Sequence, residues 1–267
     1  MTRNKFLAAL LGVAGLTACD KNAVQDITRP IEGGAFVRFH NYGVGAPGVN
    51  FYANEQKVTA ISSASCSPPP STPVPACATT GVEATTGVVY GGSANGANYS
   101  MLAPGQYTLS SRIAAVVDNG LVVSSASASL VSGKFYTYMV SGIYNAATKT
   151  SEAFVVEDNL PTSFDYLKSY VRIVNASANA PAVSATSTLQ GTSELVAIGT
   201  NVAYKSAGQF VTVTPGLTDI TVTIGAVSQT FRNVNMLGGH VLTIAVRGDA
   251  TSTSTTTGLA ITGSYNR

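Results

Sequence analysis

The sequence predicts an all-β protein: two tandem antiparallel β-sandwich domains of immunoglobulin-like architecture, following an amino-terminal segment that is removed on export. Three observations predict it. Ser and Thr make up about a fifth of the 267 residues, alongside 26 Gly and no Trp, a composition that favours short strands and turns over helices. Apolar residues alternate with period two, as where Ile220, Val222 and Ile224 interleave with Thr221 and Thr223, or Leu242, Ile244 and Val246 with Thr243 and Ala245; this is the signature of half-buried strands. Three segments of the first half recur, in the same order, in the second.

The elements follow in chain order. Arg3 and Lys5 precede the apolar run Phe6 to Leu16, a basic start and roughly ten apolar residues that read as a secretory signal, too short to stay as a membrane-spanning helix. The segment ends Leu16-Thr17-Ala18-Cys19, which resembles the bacterial lipobox. The resemblance implies cleavage before Cys19 and a lipid on its sulfur, with a further acyl chain on the new amine. Two or more chains give stable anchoring where one is marginal. Residues 1–18 are thus the expected lipoprotein signal peptide and 19–34 a lipidated tether. Asp20 resembles the inner-membrane retention signal of enteric bacteria, a rule that does not hold across phyla, so the membrane and leaflet stay open.

Cysteine use agrees with an envelope location. With Cys19 assigned to lipid, Cys66 and Cys77 remain, and an oxidising compartment would pair them. The ten residues between them hold five of the eleven prolines. A bridge closing so short a loop stabilises by about 3 kcal/mol, less where prolines already stiffen it. Ten intervening residues do not make a C-x-x-C redox motif, and two Cys without a nearby His do not complete a zinc shell.

The repeats define two units. Phe36 to Val49 aligns without gaps on Tyr170 to Val183, at an offset of 134. Leu102-Ala103-Pro104-Gly105 matches Val213-Thr214-Pro215-Gly216 at 111, and Gly133 to Gly142 matches Gly239 to Gly248 at 106. Collinear matches predict a duplicated unit. The falling offset places an insertion in the first copy, where the Cys66–Cys77 loop lies. Expected boundaries are a first sandwich at 35–160, a linker at 161–168 around the Pro161 break, and a second sandwich at 169–267.

The first repeat, F/Y-V-R-x-x-N-x-x-x-x-A-P-x-V, resembles the opening strand and turn of the bacterial domain-of-unknown-function family 4397. Pro104-Gly105-Gln106-Tyr107, the Tyr136-Thr137 strand and the closing Glu157-Asp158 fit it too. Where the family often has V-D-V-Y, the chain reads Val49-Asn50-Phe51-Tyr52 and Val183-Ser184-Ala185-Thr186, and the second copy lacks the closing acidic pair. The resemblance spans about residues 35 to 267. It implies tandem envelope β-domains, often lipidated, with no established activity.

Composition narrows function. Fifteen Lys and Arg face 13 Asp and Glu, and removing Arg3 and Lys5 leaves 13 against 13; nucleic-acid binding would need a basic excess. Gly43-Val44-Gly45-Ala46-Pro47-Gly48 matches the dinucleotide pattern G-x-G-x-x-G but leads into a strand rather than a helix, so it reads as a turn and no cofactor is expected. Strand parity puts Val37, Phe39, Val171 and Ile173 on the core face, which turns Arg38, His40 and Arg172 outward, the arginines with stems along the sheet and heads in solvent or a local salt bridge, with an anion or carboxylate contact as the functional rival. His240 follows a Gly turn and reads as exposed. The tyrosines at 90, 99, 107, 136, 138 and 144 read as core and edge packing, with a sugar-stacking platform as the rival. Asp249 to Gly258 reads as an exposed hairpin loop of the kind that carries partner contacts. No catalytic or metal site is expected. The expectation is a non-enzymatic lipoprotein, anchored to a membrane of the bacterial cell envelope through Cys19 with its domains outside the cytoplasm, that binds an envelope protein or glycan or serves a structural role. The alternative is a hydrolase acting on envelope or extracellular polymer.

Overall fold

The structure, a computed structural model, describes residues 33–60, 62–67 and 76–266, with backbone alone at 62–67 and 76–83. The period-two segments are strands. In the first sandwich, one sheet holds β1 (Ala35–Asn41), β6 (Gly92–Ser93), β7 (Ser100–Leu102), β10 (Phe135–Asn145) and β11 (Thr150–Glu157). The facing sheet holds β2 (Val49–Ala53), β3 (Gln56–Lys57), β8 (Gly105–Ile113) and β9 (Val122–Leu130). The hairpin of β4 (Ser62–Ser67) and β5 (Ala76–Glu83) forms a sheet of its own.

The second sandwich repeats this plan without that hairpin. One sheet holds β12 (Ser169–Asn175), β15 (Ser206–Ala207), β16 (Val211–Val213), β19 (Val241–Arg247) and β20 (Ala260–Tyr265). Its partner holds β13 (Ala182–Leu189), β14 (Leu195–Ala203), β17 (Gly216–Ile224) and β18 (Val227–Met236).

Each sandwich adds one parallel pair to the expected antiparallel ladders. β1 runs parallel to β10, with Phe36 opposite Phe135, and β12 runs parallel to β19, with Tyr170 opposite Val241. Antiparallel strands can face water on one side, but strands in parallel pairs are covered on both. Accordingly every residue of β12 is buried, as are Tyr136 to Gly142 of β10.

The predicted core face is the core. Val37, Phe39, Val49, Phe51 and Leu109 fill the first sandwich, with the Phe39 and Phe51 rings stacked at 5.1 Å. Val171, Ile173, Val183, Ile220 and Ile244 fill the second. Full burial of each such side chain is worth about 1.5–3 kcal/mol.

The repeated Asn and Pro-Gly have structural work. Asn41 Nδ2 donates to the carbonyls of Pro47 (3.1 Å) and Val88 (2.9 Å), and its Oδ1 accepts from the Gly43 amide. Asn175 does the same with Ala180 (2.9 Å), Val202 (3.1 Å) and the Ser177 amide. Each Asn thereby clamps the turn after its strand, and Gly43 to Gly48 is a turn that leads into β2. Gly105 and Gly216 open β8 and β17 at φ of +152° and +141°, a region that side chains other than glycine rarely enter.

Candidate functional site

Parity correctly assigned the core face of β1 and β12, but the opposite face is not exposed. Gly33 to Arg267 is one compact unit, and a third apolar cluster joins the backs of the two inner sheets. Tyr42, Met139, Phe154 and Val156 come from the first sandwich, Val174, Ala176 and Ala245 from the second. The described sheets therefore stack four deep. Arg38, His40 and Arg172, expected to face outward, are 0%, 1% and 2% exposed. The residues that point away from one sandwich point into the other.

Both arginines converge on Asp158, at the end of β11. Arg38 Nε donates to Thr137 Oγ1 at 2.8 Å and lies 3.8 Å from Asp158 Oδ2. Arg172 Nε donates to Thr243 Oγ1 at 3.0 Å, and its Nη2 donates to Asp158 Oδ1. Asp158 Oδ2 also accepts from Thr137 Oγ1 and Tyr99 Oη, each at 2.6 Å. The contacts are reciprocal. Arg172 Nη1 reaches across to the Glu157 carbonyl (3.2 Å), while Arg38 Nη1 reaches across to that of Tyr265 (3.4 Å). Arg38 lies over the Tyr99 ring and Arg172 over that of Phe210. Thr137 donates to Asp158, and Thr243 donates to Asn266 Oδ1 at 2.7 Å. Asn266 stands where the other half has Asp158, so two guanidinium groups share one carboxylate.

Burial shapes the protonation of the cluster. It pulls the Arg172 pKa down against the opposing pull of Asp158. Burial, and then Asp158, pushes the Tyr99 hydroxyl up. His40 is held down at about 3, by burial first and by Arg38 second. Its Nδ1 lies 3.0 Å from Tyr42 Oη, and its Nε2 has no protein partner among the described residues. His240 is half-buried rather than exposed, with Nδ1 2.8 Å from the Gly238 carbonyl and its ring against Tyr265.

At the other end of the interface, Tyr204 Oη donates to Glu152 Oε2 at 2.7 Å and Lys205 Nζ lies 3.0 Å from the same oxygen. The Tyr204 hydroxyl and then Lys205 hold the Glu152 pKa below its usual range. The tyrosines do not form a flat outer platform. Tyr136 and Tyr138 are buried, Tyr99 packs on Phe135, and Tyr90 lies beneath Arg247.

Beside the cluster lies a cleft of about 650 Å³, lined by Lys134, Phe135, Glu157, Asp158 and Asn266 together with the segment from Asn159 to Thr162. Lys134 and Glu157 pair at its rim at 2.8 Å. Asp158 already accepts from Thr137, Tyr99 and Arg172 and lies beside the charge of Arg38, so its oxygens are taken up within the cluster. The cleft offers a ring, an amide and an ion pair: groups that hold a ligand. Among the described residues no three His, Cys, Asp or Glu side chains group as a metal site.

Cys19 and residues 1–32 lie outside the described residues, as do 68–75 of the Pro-rich loop. The backbone of β4 and β5 sets Cys66 directly opposite Cys77, and pairs so placed in an antiparallel ladder have Cα separations that a disulfide can span.

Fold and cluster together define a double β-sandwich held by a buried, shared carboxylate. A profile of the family Domain of unknown function (DUF4397) matches residues 35–186, more than half of the chain, and the chain belongs to that family. The match ends inside β13, short of the residue 267 that the resemblance led us to expect. The family indicates no catalytic class. Among solved structures, the Bacillus anthracis TIE protein is 11% identical, with 81% of this chain and 34% of that chain covered and a TM-score of 0.23; the present chain spans about a third of its length. A proposed cell adhesion protein from Bacteroides ovatus is 10% identical, with 86% and 95% covered and a TM-score of 0.25. At these scores neither likeness carries an argument. No curated protein matches the sequence.

Proposed function

We propose that this chain is a non-enzymatic lipoprotein of the bacterial cell envelope, anchored to a membrane through lipid on Cys19, that presents two tandem copies of one β-sandwich unit for binding an envelope protein or glycan or for a structural role. One observation carries the reading: the buried carboxylate and the two buried arginines are committed to one another where the two sandwiches meet. Asp158 is saturated by Thr137, Tyr99 and two arginines. The two histidines face a tyrosine hydroxyl and a backbone carbonyl. An acid–base or nucleophilic site needs such groups within reach of a substrate.

The reciprocal contacts support duplication of one unit, since Arg38 and Arg172, Thr137 and Thr243, and Asp158 and Asn266 fall at matching places in matching strands. The reading of an oxidised compartment, with Cys66 bonded to Cys77, is supported by the register of β4 and β5. The lipobox-like Leu16-Thr17-Ala18-Cys19 supports anchorage.

Three experiments test the proposal. Cys19→Ala should leave the protein unlipidated and release it from the membrane fraction; a variant still processed and membrane-bound would end the lipoprotein reading. Crosslinking of the native protein in its own envelope, followed by mass spectrometry, should capture a recurrent protein or glycan. A purified protein that instead hydrolyses envelope polymer, and loses that activity on substitution of His40 or His240, would overturn the non-enzymatic reading.

A further inference from the structure

The two sandwiches differ at one edge. In the first, β9 is the last strand of its sheet, and β11 of the opposite sheet lies alongside it. Small residues allow the approach: Ala126 and Ala128 on β9 and Ala153 and Val155 on β11 all pack on the first core. A short turn, 146–149, joins β10 to β11. In the second sandwich β18 holds the place of β9 and β20 that of β11, but the turn is replaced by the Ser/Thr-rich segment 248–259 and β20 is shorter. β20 does not lie along β18 as β11 lies along β9. A groove of about 860 Å³ opens there instead, between Val227, Gln229 and Phe231 on β18 and the 250–255 loop with Leu259 and Ala260.

Three properties of the groove specify what fits it. β18 is a sheet edge, and an edge presents unpaired backbone donors and acceptors to any added strand. Val227, Gln229 and Phe231 are alternate residues on one face, with Phe231 partly covering the core and Val227 66% exposed. From Val227 to Phe231 the edge runs about 13 Å, room for a strand of about five residues. No lining residue carries a charge, so a charged side chain seated there would lose its hydration without a partner. The complement is neutral.

We propose that this groove receives an extended, uncharged peptide strand of a partner protein, which pairs with the edge of β18 and sets alternate apolar side chains over Phe231 and Leu259. Strand addition of this kind takes affinity from the backbone and selectivity from alternate side chains. In the first sandwich β11 of the opposite sheet covers the equivalent edge by packing, without pairing with β9, so that the space open in the second sandwich is filled there. The inference goes beyond the envelope reading and is independent of it, because the groove exists with or without an anchor.

The test is fluorescence anisotropy with the full chain purified in detergent. The probe is a labelled heptapeptide of alternating Thr and Val, blocked at both ends; the comparison peptide has Lys in place of each Val. The neutral peptide should bind saturably below about 1 mM, and the Lys peptide at least tenfold more weakly. Val227→Lys and Thr253→Lys, both at exposed positions, should each weaken the neutral peptide at least tenfold while leaving the melting temperature unchanged. Equal binding of the two peptides, indifference to both substitutions, or no saturation by the neutral peptide would overturn the proposal. Loss of membrane anchorage alone would leave these outcomes untouched.

Discussion

Acidification should loosen this protein through one side chain, His40. The ring is buried between the inner sheets, stacked on Tyr42, with Arg38 two residues before it on the same strand face. Arg172 and Arg247 also lie on the facing sheet, and Asp158, the carboxylate of the cluster, is committed to the two arginines. Folded, His40 takes a proton only near pH 3, against an ordinary value of 6.5. Between those limits the unfolded chain binds a proton that the folded chain refuses. Stability therefore rises with pH across this window and is lost as pH falls from about 6.5 toward 3. At pH 4.5 the unfolded histidine lies two units below its pKa, which corresponds to roughly 3 kcal/mol lost relative to pH 8. Urea unfolding measures it: with a slope of about 2–3 kcal/mol/M, the midpoint should drop by about 1–1.5 M. Other groups titrate in the same range, so the informative quantity is the difference from His40→Gln. That variant should lose about 1–2 kcal/mol at pH 8, through its altered contact with Tyr42, and should then lack the His40 share of the acid slope. Parallel pH profiles for the two proteins would refute the reasoning.

Asp158→Asn removes the carboxylate that Arg38 and Arg172 share and should cost about 3–5 kcal/mol in chemical denaturation; a loss under about 1 kcal/mol would mean the arginines are compensated elsewhere. Asn41→Ala and Asn175→Ala each strip two buried carbonyls of their donor and should each cost about 2–3 kcal/mol. Similar costs would show that the repeated Asn does the same work in both halves, and a negligible cost at either would not. Intact mass of the mature protein, alkylated before and after reduction, should find Cys66 and Cys77 blocked until reduced. Free thiols would end the disulfide reading, and Cys77→Ser should lower stability by no more than about 3 kcal/mol.

Alternation by two made the strands legible, and the face carrying Val37, Phe39, Val171 and Ile173 is the core that alternation predicts. The same rule misplaced Arg38, His40 and Arg172, because it assumes that a strand has one dry face. A sign of the second dry face was present. Tyr42, Met139, Phe154 and Val174 occupy the supposedly wet positions, and Phe135 to Val140 is nearly continuous in apolar side chains, a run expected of strands covered on both sides. The Arg in each repeat is thus conspicuous for a physical reason: it is a charge on a face that is otherwise apolar. Asp158 was visible as part of a closing acidic pair missing from the second half, but its role was not. Pairing it with arginines at positions 38 and 172 depends on how two sheets stack, which no local pattern encodes. The groove along β18 was hidden for a related reason, since the Thr-Ser segment reads as a loop whether or not a strand fits beside it.

The parallel pairs also set an order of events. β1 is the first strand of the described chain, yet its longest ladder is with β10, and only the short β6 and β7 pair with its other edge: Arg38 and Thr137 are 99 residues apart, and Arg38 and Tyr265 are 227 apart. Contacts so distant in sequence close late and slowly. A chain emerging amino terminus first would have only the short β6 and β7 to pair with its opening strand until the third repeated segment appears, and could not complete the charge cluster until its last strand is out. If the chain is exported unfolded, as its amino-terminal segment predicts, this topology keeps it from hardening before it arrives.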